Sequence, residues 1–92
     1  MNPTIEQVLE EIGIDKVGTY ADDGSYVIDL EDSDEYGVVY SKLEKADLEQ
    51  MDENTLLTIH NASILYDYEG VYQFNLIADF DNGLYKLVVS EI

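Results

Sequence analysis

The sequence contains no cysteine and no arginine, and these two absences narrow the range of functions. Without cysteine the chain has no disulfide framework, zinc finger, iron–sulfur site or thiol nucleophile. Only four lysines supply positive charge against 21 aspartates and glutamates, which gives a formal net charge of −17. Nucleic-acid phosphates and anionic membrane surfaces repel such a chain, so we expect neither as a direct partner.

Long apolar runs and a basic N-terminal region are also lacking. The first residues carry no positive side chain and no apolar run follows them, so we expect no secretory signal. Nothing approaches the roughly 18 apolar residues of a membrane span. With 46% hydrophobic residues, the chain is too apolar for a disordered acidic tail. Its 92 residues predict a single folded domain, 1–92, in the cytoplasm.

An amphipathic helix is predicted near the N-terminus. Asn2 or Thr4 can serve as its N-cap, and Thr4 and Gln7 have the spacing of a capping box. Gly13 can end the helix in the left-handed conformation. Between them the apolar residues recur with the period of one helix face; these are Ile5, Val8, Leu9 and Ile12.

Strand and turn signals dominate the rest of the chain. Asp23-Gly24 is typical of a type I′ turn, and as a two-residue loop it would place Ala21 opposite Tyr26. Residues 36–41 are rich in valine and tyrosine and predict a third strand. Residues 41–53 are ambiguous, because three apolar residues fit one side of a short helix among many acids: Leu43, Leu48 and Met51.

Two further hairpins are predicted in the C-terminal third. Asn82-Gly83 as a two-residue loop would pair Ala78 with Leu87. A three-residue loop at 68–70 would pair Tyr66 with Tyr72 and keep the apolar side chains on one face. An antiparallel β-meander of five or six strands, covered on one face by the N-terminal helix, is the simplest arrangement. The predicted fold class is therefore α+β.

Catalytic and metal-binding patterns are weak. His60 is the only histidine, and no serine lies in a nucleophile-elbow context, so a structural imidazole is the simpler interpretation. Residues 32–37 imitate the start of a calcium loop, but Tyr36 takes position 5 and Leu43 takes position 12, where a glutamate is required. The glycines are isolated and form no phosphate-binding loop. We expect no enzyme, no cofactor and no metal site.

The carboxylates are concentrated in runs. At roughly 3.3 Å per residue, alternate side chains of a strand lie about 6.6 Å apart, which is the order of the phosphate spacing in a nucleic-acid strand. Such an array can occupy a basic cleft built for DNA or RNA. The candidate partner-binding acids are Asp29, Glu31, Asp32, Asp34 and Glu35, then Glu44, Asp47, Glu49, Asp52 and Glu53, and finally Asp67 and Glu69.

A solvated surface kept for solubility is the ordinary explanation of an acidic run. Solubility of a small domain needs a net charge of only about 2 to 8, however, and beyond that self-repulsion weakens the fold. A charge of −17 persists most readily if it is used in binding. Adaptation to a high-salt cytoplasm would also enrich acid, but the lack of arginine and the abundant Ile, Tyr and Asn suit an AT-rich gene better.

Tyr36 and Tyr68 lie in or beside the acidic runs. A tyrosine ring can stack on an arginine guanidinium while a neighbouring carboxylate pairs with it. We therefore count both tyrosines among the candidate partner-binding residues, although filling the core or a strand is the simpler role for any single ring.

In size, acidity, lack of cysteine and predicted fold, the chain resembles the small acidic inhibitors carried by bacteriophages: anti-CRISPR proteins, anti-restriction proteins and the uracil-DNA glycosylase inhibitor. Many of these are DNA mimics. Ser63-Ile64-Leu65 is also similar to the edge-strand segment of the glycosylase inhibitor, but Ala62 replaces that family's glutamate, so its function is not transferred. The resemblance implies an inhibitor in the bacterial host cytoplasm that competes with nucleic acid for a basic partner, most simply a CRISPR effector.

Two other classes stay open. An immunity protein or antitoxin would neutralise a basic toxin nuclease through a few anchor residues beside its active site. A structural phage protein would carry its acidity incidentally, and neutral-surface variants would keep its activity. A homodimer is also open. For the DNA mimic, replacing the five acids of 29–35 with Asn or Gln should abolish binding and raise thermal stability at low salt.

Overall fold

Two helices and six strands make up the part of the chain that the computed structural model describes, residues 3–55 and 61–92. For 52–55 and 61–62 the backbone alone is described. In chain order the elements are α1 (Ile5–Ile12), β1 (Thr19–Tyr20), β2 (Tyr26–Leu30), α2 (Ser33–Lys45), β3 (Glu49–Thr55), β4 (Asn61–Tyr68), β5 (Tyr72–Asp79) and β6 (Leu84–Glu91).

The predicted N-terminal helix is confirmed as α1, with both of its predicted ends. Thr4 is the N-cap: its hydroxyl oxygen accepts the Gln7 backbone N–H at 3.2 Å, and the Gln7 side chain accepts the Thr4 N–H at 2.9 Å. Gly13 ends the helix with a left-handed φ of 99°. The alternative cap, Asn2, lies outside the described residues.

The strand predicted at residues 36–41 is wrong, because this segment lies inside α2. Asp32 caps the helix, and its carboxylate accepts the Glu35 backbone N–H at 2.9 Å. Acidic residues in the first turn and two lysines in the last turn both suit the helix dipole. Val39 and Leu43 are the buried residues of α2 and belong to the hydrophobic core. These ends and this buried face outweigh the β-propensity of valine and tyrosine.

The six strands form one antiparallel sheet in the order β1-β2-β6-β5-β4-β3. The strands β4 to β6 follow the predicted meander, and the ambiguous segment 41–53 is divided between the end of α2 and the strand β3. The β1–β2 hairpin joins it at the other side, because β2 pairs with β6 rather than with β3. The α2 helix therefore connects one side of the sheet to its far edge. The α+β class and the six-strand count confirm the prediction.

The core lies on one face of this sheet. Alternate residues of β5 are buried from Tyr72 to Ala78, and buried residues of both helices belong to the same cluster. Two helices, and not the single predicted one, therefore cover this face. The largest fully buried side chains are Tyr66, Phe74, Ile28, Leu43, Leu76, Leu87, Val8 and Val89.

The β5–β6 turn is longer than predicted. It spans residues 80–83, so Ala78 pairs with Tyr85, two residues before its predicted partner. The Asp79 carboxylate accepts the backbone N–H of Asn82 at 3.3 Å and its side-chain amide at 2.7 Å, which stabilises the longer turn. The predicted faces are right, because a shift of two residues keeps the same side chains toward the core.

The β4–β5 turn has the predicted three residues, but it lies one position later in the chain, at 69–71. Tyr68, and not Tyr66, pairs with Tyr72, while the predicted core face is confirmed. Glu69 and Gly70 have φ values of 52° and 74°, and a type I′ turn requires positive φ at both central residues. The turn therefore holds one non-glycine residue in the left-handed region.

The predicted register of β1 and β2 is wrong by one residue. Tyr20, and not Ala21, lies opposite Tyr26. The Asp23 carboxylate accepts hydrogen bonds from the Ser25 backbone N–H at 3.0 Å and the Ser25 hydroxyl at 2.6 Å, which lowers the pKa of Asp23. Residues 21–25 connect the two strands, and the two-residue β1 strand is exposed on both faces.

Candidate acidic interaction surfaces

The acidic run 29–35 lies at the end of β2 and the start of α2. Asp29, Glu31 and Asp34 are exposed, and Asp29 lies opposite Lys86 of β6. Asp32 is exposed as well, but it holds the helix N-terminus as its cap. Three of the five predicted acids therefore point outward without a capping role.

Glu35 is held by an ion pair within the chain. Lys16, from the segment between α1 and β1, donates to Glu35 Oε2 at 2.7 Å and also pairs with Oε1. This hydrogen bond raises the pKa of Lys16. The Lys16 charge neutralises Glu35, so Glu35 contributes less to an external surface than the sequence suggests.

Tyr36 belongs to an aromatic cluster at the same end of the sheet. Its ring centroid lies 5.9 Å from that of Phe80 and 5.7 Å from that of Tyr85. Phe80 and Tyr85 are 5.7 Å apart, edge to face. Tyr36 is half-buried against the core, and Phe80 is exposed. Tyr36, a predicted partner-binding residue, is thus in contact with Phe80, which the acidic runs did not indicate.

A second acidic surface forms at the opposite end of the sheet. Here the end of α1, the α2–β3 loop, the start of β3, the end of β4 and the β4–β5 turn meet around an open cleft of about 470 Å³. No lysine lines it among the residues that the structure describes. We call this the acidic cleft; its carboxylates are Glu11, Asp47, Glu49, Asp67 and Glu69.

Tyr68 also lines the acidic cleft. Its hydroxyl donates to Glu11 Oε2 at 3.1 Å, and burial together with this bond raises the pKa of Tyr68. Asp67 Oδ1 accepts the Gly70 backbone N–H at 2.9 Å, which fixes the carboxylate beside the turn. Tyr68 and Asp67, both predicted, therefore lie in one site.

Two features of the acidic cleft are energetically unfavourable. Glu49 and Asp67 are direct cross-strand partners, and like charges in such positions destabilise a sheet. Asp47 and Glu69 have φ values of 58° and 52°, and they are the non-glycine residues with positive φ in the described chain. The C-terminal end of α1 has no basic residue in its last turn, but the Lys42 ammonium donates to the Gly13 carbonyl oxygen there and offsets its partial negative charge.

The helix α2 separates the two acidic surfaces. Its 13 residues span roughly 20 Å, at about 1.5 Å per residue. Glu44 lies near its C-terminal end and accepts a hydrogen bond from the Tyr66 hydroxyl at 2.6 Å; burial first, and then this bond, raises the pKa of Tyr66. Asp52 and Glu53 lie on the edge strand β3, where the backbone alone is described.

Sequence reasoning missed Glu11, Lys16 and Phe80. Glu11 lies outside the apolar stripe of the predicted helix, and no local signal indicates that the α1 end meets β4. Lys16 and Glu35 are 19 positions apart, so their pairing depends on tertiary structure. His60 and its predicted structural role lie outside the described residues, and Ser63-Ile64-Leu65 lies in β4, which is not an edge strand.

The arrangement is suited to binding cations borne by another molecule. No group of three His, Asp or Glu side chains is placed to hold a metal ion within residues 3–55 and 61–92. Neither α1 nor α2, the helices of the described chain, is long and apolar enough to cross a membrane. None of the protein families, curated proteins and solved structures compared with the chain gives a match.

Proposed function

We propose that the protein is an inhibitor that occupies the basic nucleic-acid-binding groove of a defence or host protein, most simply a CRISPR effector. The observation that carries this proposal is the acidic cleft. Carboxylates from separate segments converge there, with no lysine among the described lining residues. A cleft of one sign focuses its field toward an approaching partner.

The internal energetics of the acidic cleft support the same proposal. The Glu49–Asp67 repulsion and the left-handed backbone at Asp47 and Glu69 cost stability in the isolated protein. Lysine or arginine side chains of a partner would relieve the repulsion when they bind. Association through such a surface is fast and sensitive to salt.

The acids at the other end of α2 extend this surface. Asp29, Glu31 and Asp34 are exposed and lie roughly 20 Å from the acidic cleft along the helix. The molecule is 40 Å long in its largest dimension. A groove that follows a nucleic-acid backbone offers basic side chains over such a length, so both surfaces can contact one partner.

The experiment compares two double variants of equal charge. Glu49→Gln with Asp67→Asn removes the opposed pair in the acidic cleft; Glu10→Gln with Asp22→Asn removes two exposed carboxylates outside it. A panel of guide-loaded CRISPR effectors is tested for displacement of labelled target DNA. We expect displacement by the native protein, about a tenfold or greater loss with the cleft variant, and little loss with the control.

Equal loss with both double variants would remove the acidic cleft as the site. A panel in which no effector loses its DNA would contradict the CRISPR assignment. Inhibition that excess non-cognate DNA does not reduce would favour an immunity protein, because a mimic and DNA compete for one groove.

A further inference from the structure

The three-ring cluster at the start of α2 is built from distant parts of the chain. Tyr36 comes from α2, Phe80 from the β5–β6 turn and Tyr85 from β6. All three centroid distances are between 5.7 and 5.9 Å, and both Phe80 contacts are edge to face. The rings therefore form one packed unit, and each ring is oriented by the other two.

Phe80 is the exposed member of this unit. Its side chain is 45% exposed, while Tyr36 and Tyr85 are half-buried against the core. An edge-to-face contact leaves one ring's face uncovered by its neighbour. The surface at this end of the molecule thus includes a large apolar ring held in place by two tyrosines.

Carboxylates surround the same end of the sheet. Leu30 is the last residue of β2 and pairs with Tyr85 of the cluster. The next residue, Glu31, is exposed and therefore lies close to the cluster in the chain. Asp34 is also exposed at this end of the sheet, but two positions before Tyr36 on α2 it faces another side of the helix. The cluster therefore combines an aromatic surface with negative charge, and its charge matches a cationic occupant.

We infer that the Tyr36–Phe80–Tyr85 cluster binds an arginine side chain of the partner. The planar guanidinium stacks on an aromatic face and donates in its plane to a carboxylate, here that of Glu31. Lysine carries the same charge but has no plane to stack. The inference rests on the proposed function, which gives the protein a basic partner. It adds that the aromatic cluster is a contact surface and that this surface selects arginine on the partner.

The test uses octa-arginine and octa-lysine peptides with a fluorescent label, titrated with the native protein and three variants. Phe80→Leu keeps an apolar side chain and removes the ring, whereas Phe80→Tyr keeps the ring. Tyr20→Leu is the matched control, because Tyr20 is an exposed ring of β1 that lies opposite Tyr26, at the other end of β2 from the cluster. Thermal unfolding of each variant shows that it is folded before binding is measured.

We expect the native protein to bind octa-arginine about two- to fivefold more tightly than octa-lysine. Phe80→Leu should abolish this preference and leave octa-lysine binding unchanged, and the two other variants should retain it. Equal binding of both peptides by the native protein, or a preference that survives Phe80→Leu, would overturn the inference while leaving the acidic cleft in place. Binding of neither peptide would contradict both the inference and the proposed function.

Discussion

Glu49 and Asp67 lie directly opposite each other on the neighbouring strands β3 and β4. Both are acidic, and their side chains leave the sheet on the same face, opposite to that of the buried Tyr66. A sheet selected for stability alone would place opposite charges or hydrogen-bonding side chains at such a pair. The Glu49–Asp67 pair therefore destabilises the sheet, and replacing one of its members should raise the free energy of unfolding.

Glu49→Lys should raise the free energy of unfolding by about 0.5 to 1 kcal/mol at low salt, because it converts a repulsive pair into an attractive one. Added salt should reduce most of the gain. Glu91→Lys is the control, since Glu91 lies opposite the uncharged Tyr72. Denaturant unfolding at low and high salt measures both; an equal gain in both variants would show that only net charge matters.

Glu69→Asn should stabilise the fold by about 1 kcal/mol. The φ of 52° at position 69 is unfavourable for glutamate, whereas asparagine adopts the left-handed region readily. Glu69→Gln removes the same charge but keeps the strained backbone, so it separates the effect of charge from the effect of backbone strain. The midpoints of urea unfolding provide the comparison, and equal midpoints for Asn and Gln would exclude backbone strain as the reason.

Asp32→Ala should cost about 1 kcal/mol, because it removes the N-cap of α2. Asp32→Asn should be nearly neutral, since asparagine caps equally well. Glu31→Gln, at an exposed neighbour, is the control for charge alone. The sequence-based expectation was that neutralising this run stabilises the protein; a stability gain with Asp32→Ala would support that expectation against the helix cap.

Two glycine substitutions should have opposite effects. At Gly18 an added Cβ would collide with the Val27 carbonyl oxygen and lie 2.8 Å from Ile28 Cγ1, so Gly18→Ala should destabilise by roughly 1 to 3 kcal/mol. Gly37 is inside α2 with open space around it, so Gly37→Ala should stabilise by about 0.5 to 1 kcal/mol. Thermal unfolding measures both, and a loss at position 37 would contradict the helix.

The Tyr20–Glu6 hydrogen bond predicts an alkaline loss of stability. The bond, 2.7 Å long, raises the pKa of Tyr20 from 10.0 to about 12 and lowers the pKa of Glu6. Its contribution is complete below pH 10 and declines as the pH rises to 12, since the unfolded chain loses its proton first. At the acid side it declines as the pH falls below 4.5, the ordinary pKa of Glu6.

Tyrosinate absorbance follows this titration directly. Tyr20→Phe should remove one group that ionises near pH 12, and Glu6→Gln should return the Tyr20 pKa toward its ordinary value. Far-ultraviolet circular dichroism at each pH shows that the chain is still folded. A high-pH step that persists unchanged in Tyr20→Phe would contradict the assignment.

Local signals account for the parts of the fold that the sequence predicts. The α1 helix is specified by Thr4, Gln7 and Gly13 within ten positions, and alternation identified the core faces of β4 to β6. The α2 helix was missed because Gly37 and the valines beside it are poor helix formers. Its Asp32 cap and terminal charges were present in the sequence but were interpreted as a binding run.

Non-local contacts account for what could not be predicted. The pairing of β2 with β6 joins residues almost sixty positions apart, and no local pattern encodes it. The acidic cleft depends on the same tertiary arrangement, because the packing of α1 brings Glu11 to Tyr68 of β4. The acidic runs themselves were visible in the sequence, but their division between two ends of α2 was not.

The position of β6 in the sheet has a consequence for synthesis. It lies between β2 and β5, although it is the last of the six strands to leave the ribosome. Until residues 84–91 emerge, the β1–β2 hairpin has no strand to join, and one edge of β5 has no strand to pair with. Nascent chains should therefore acquire resistance to protease in a single late step, rather than hairpin by hairpin.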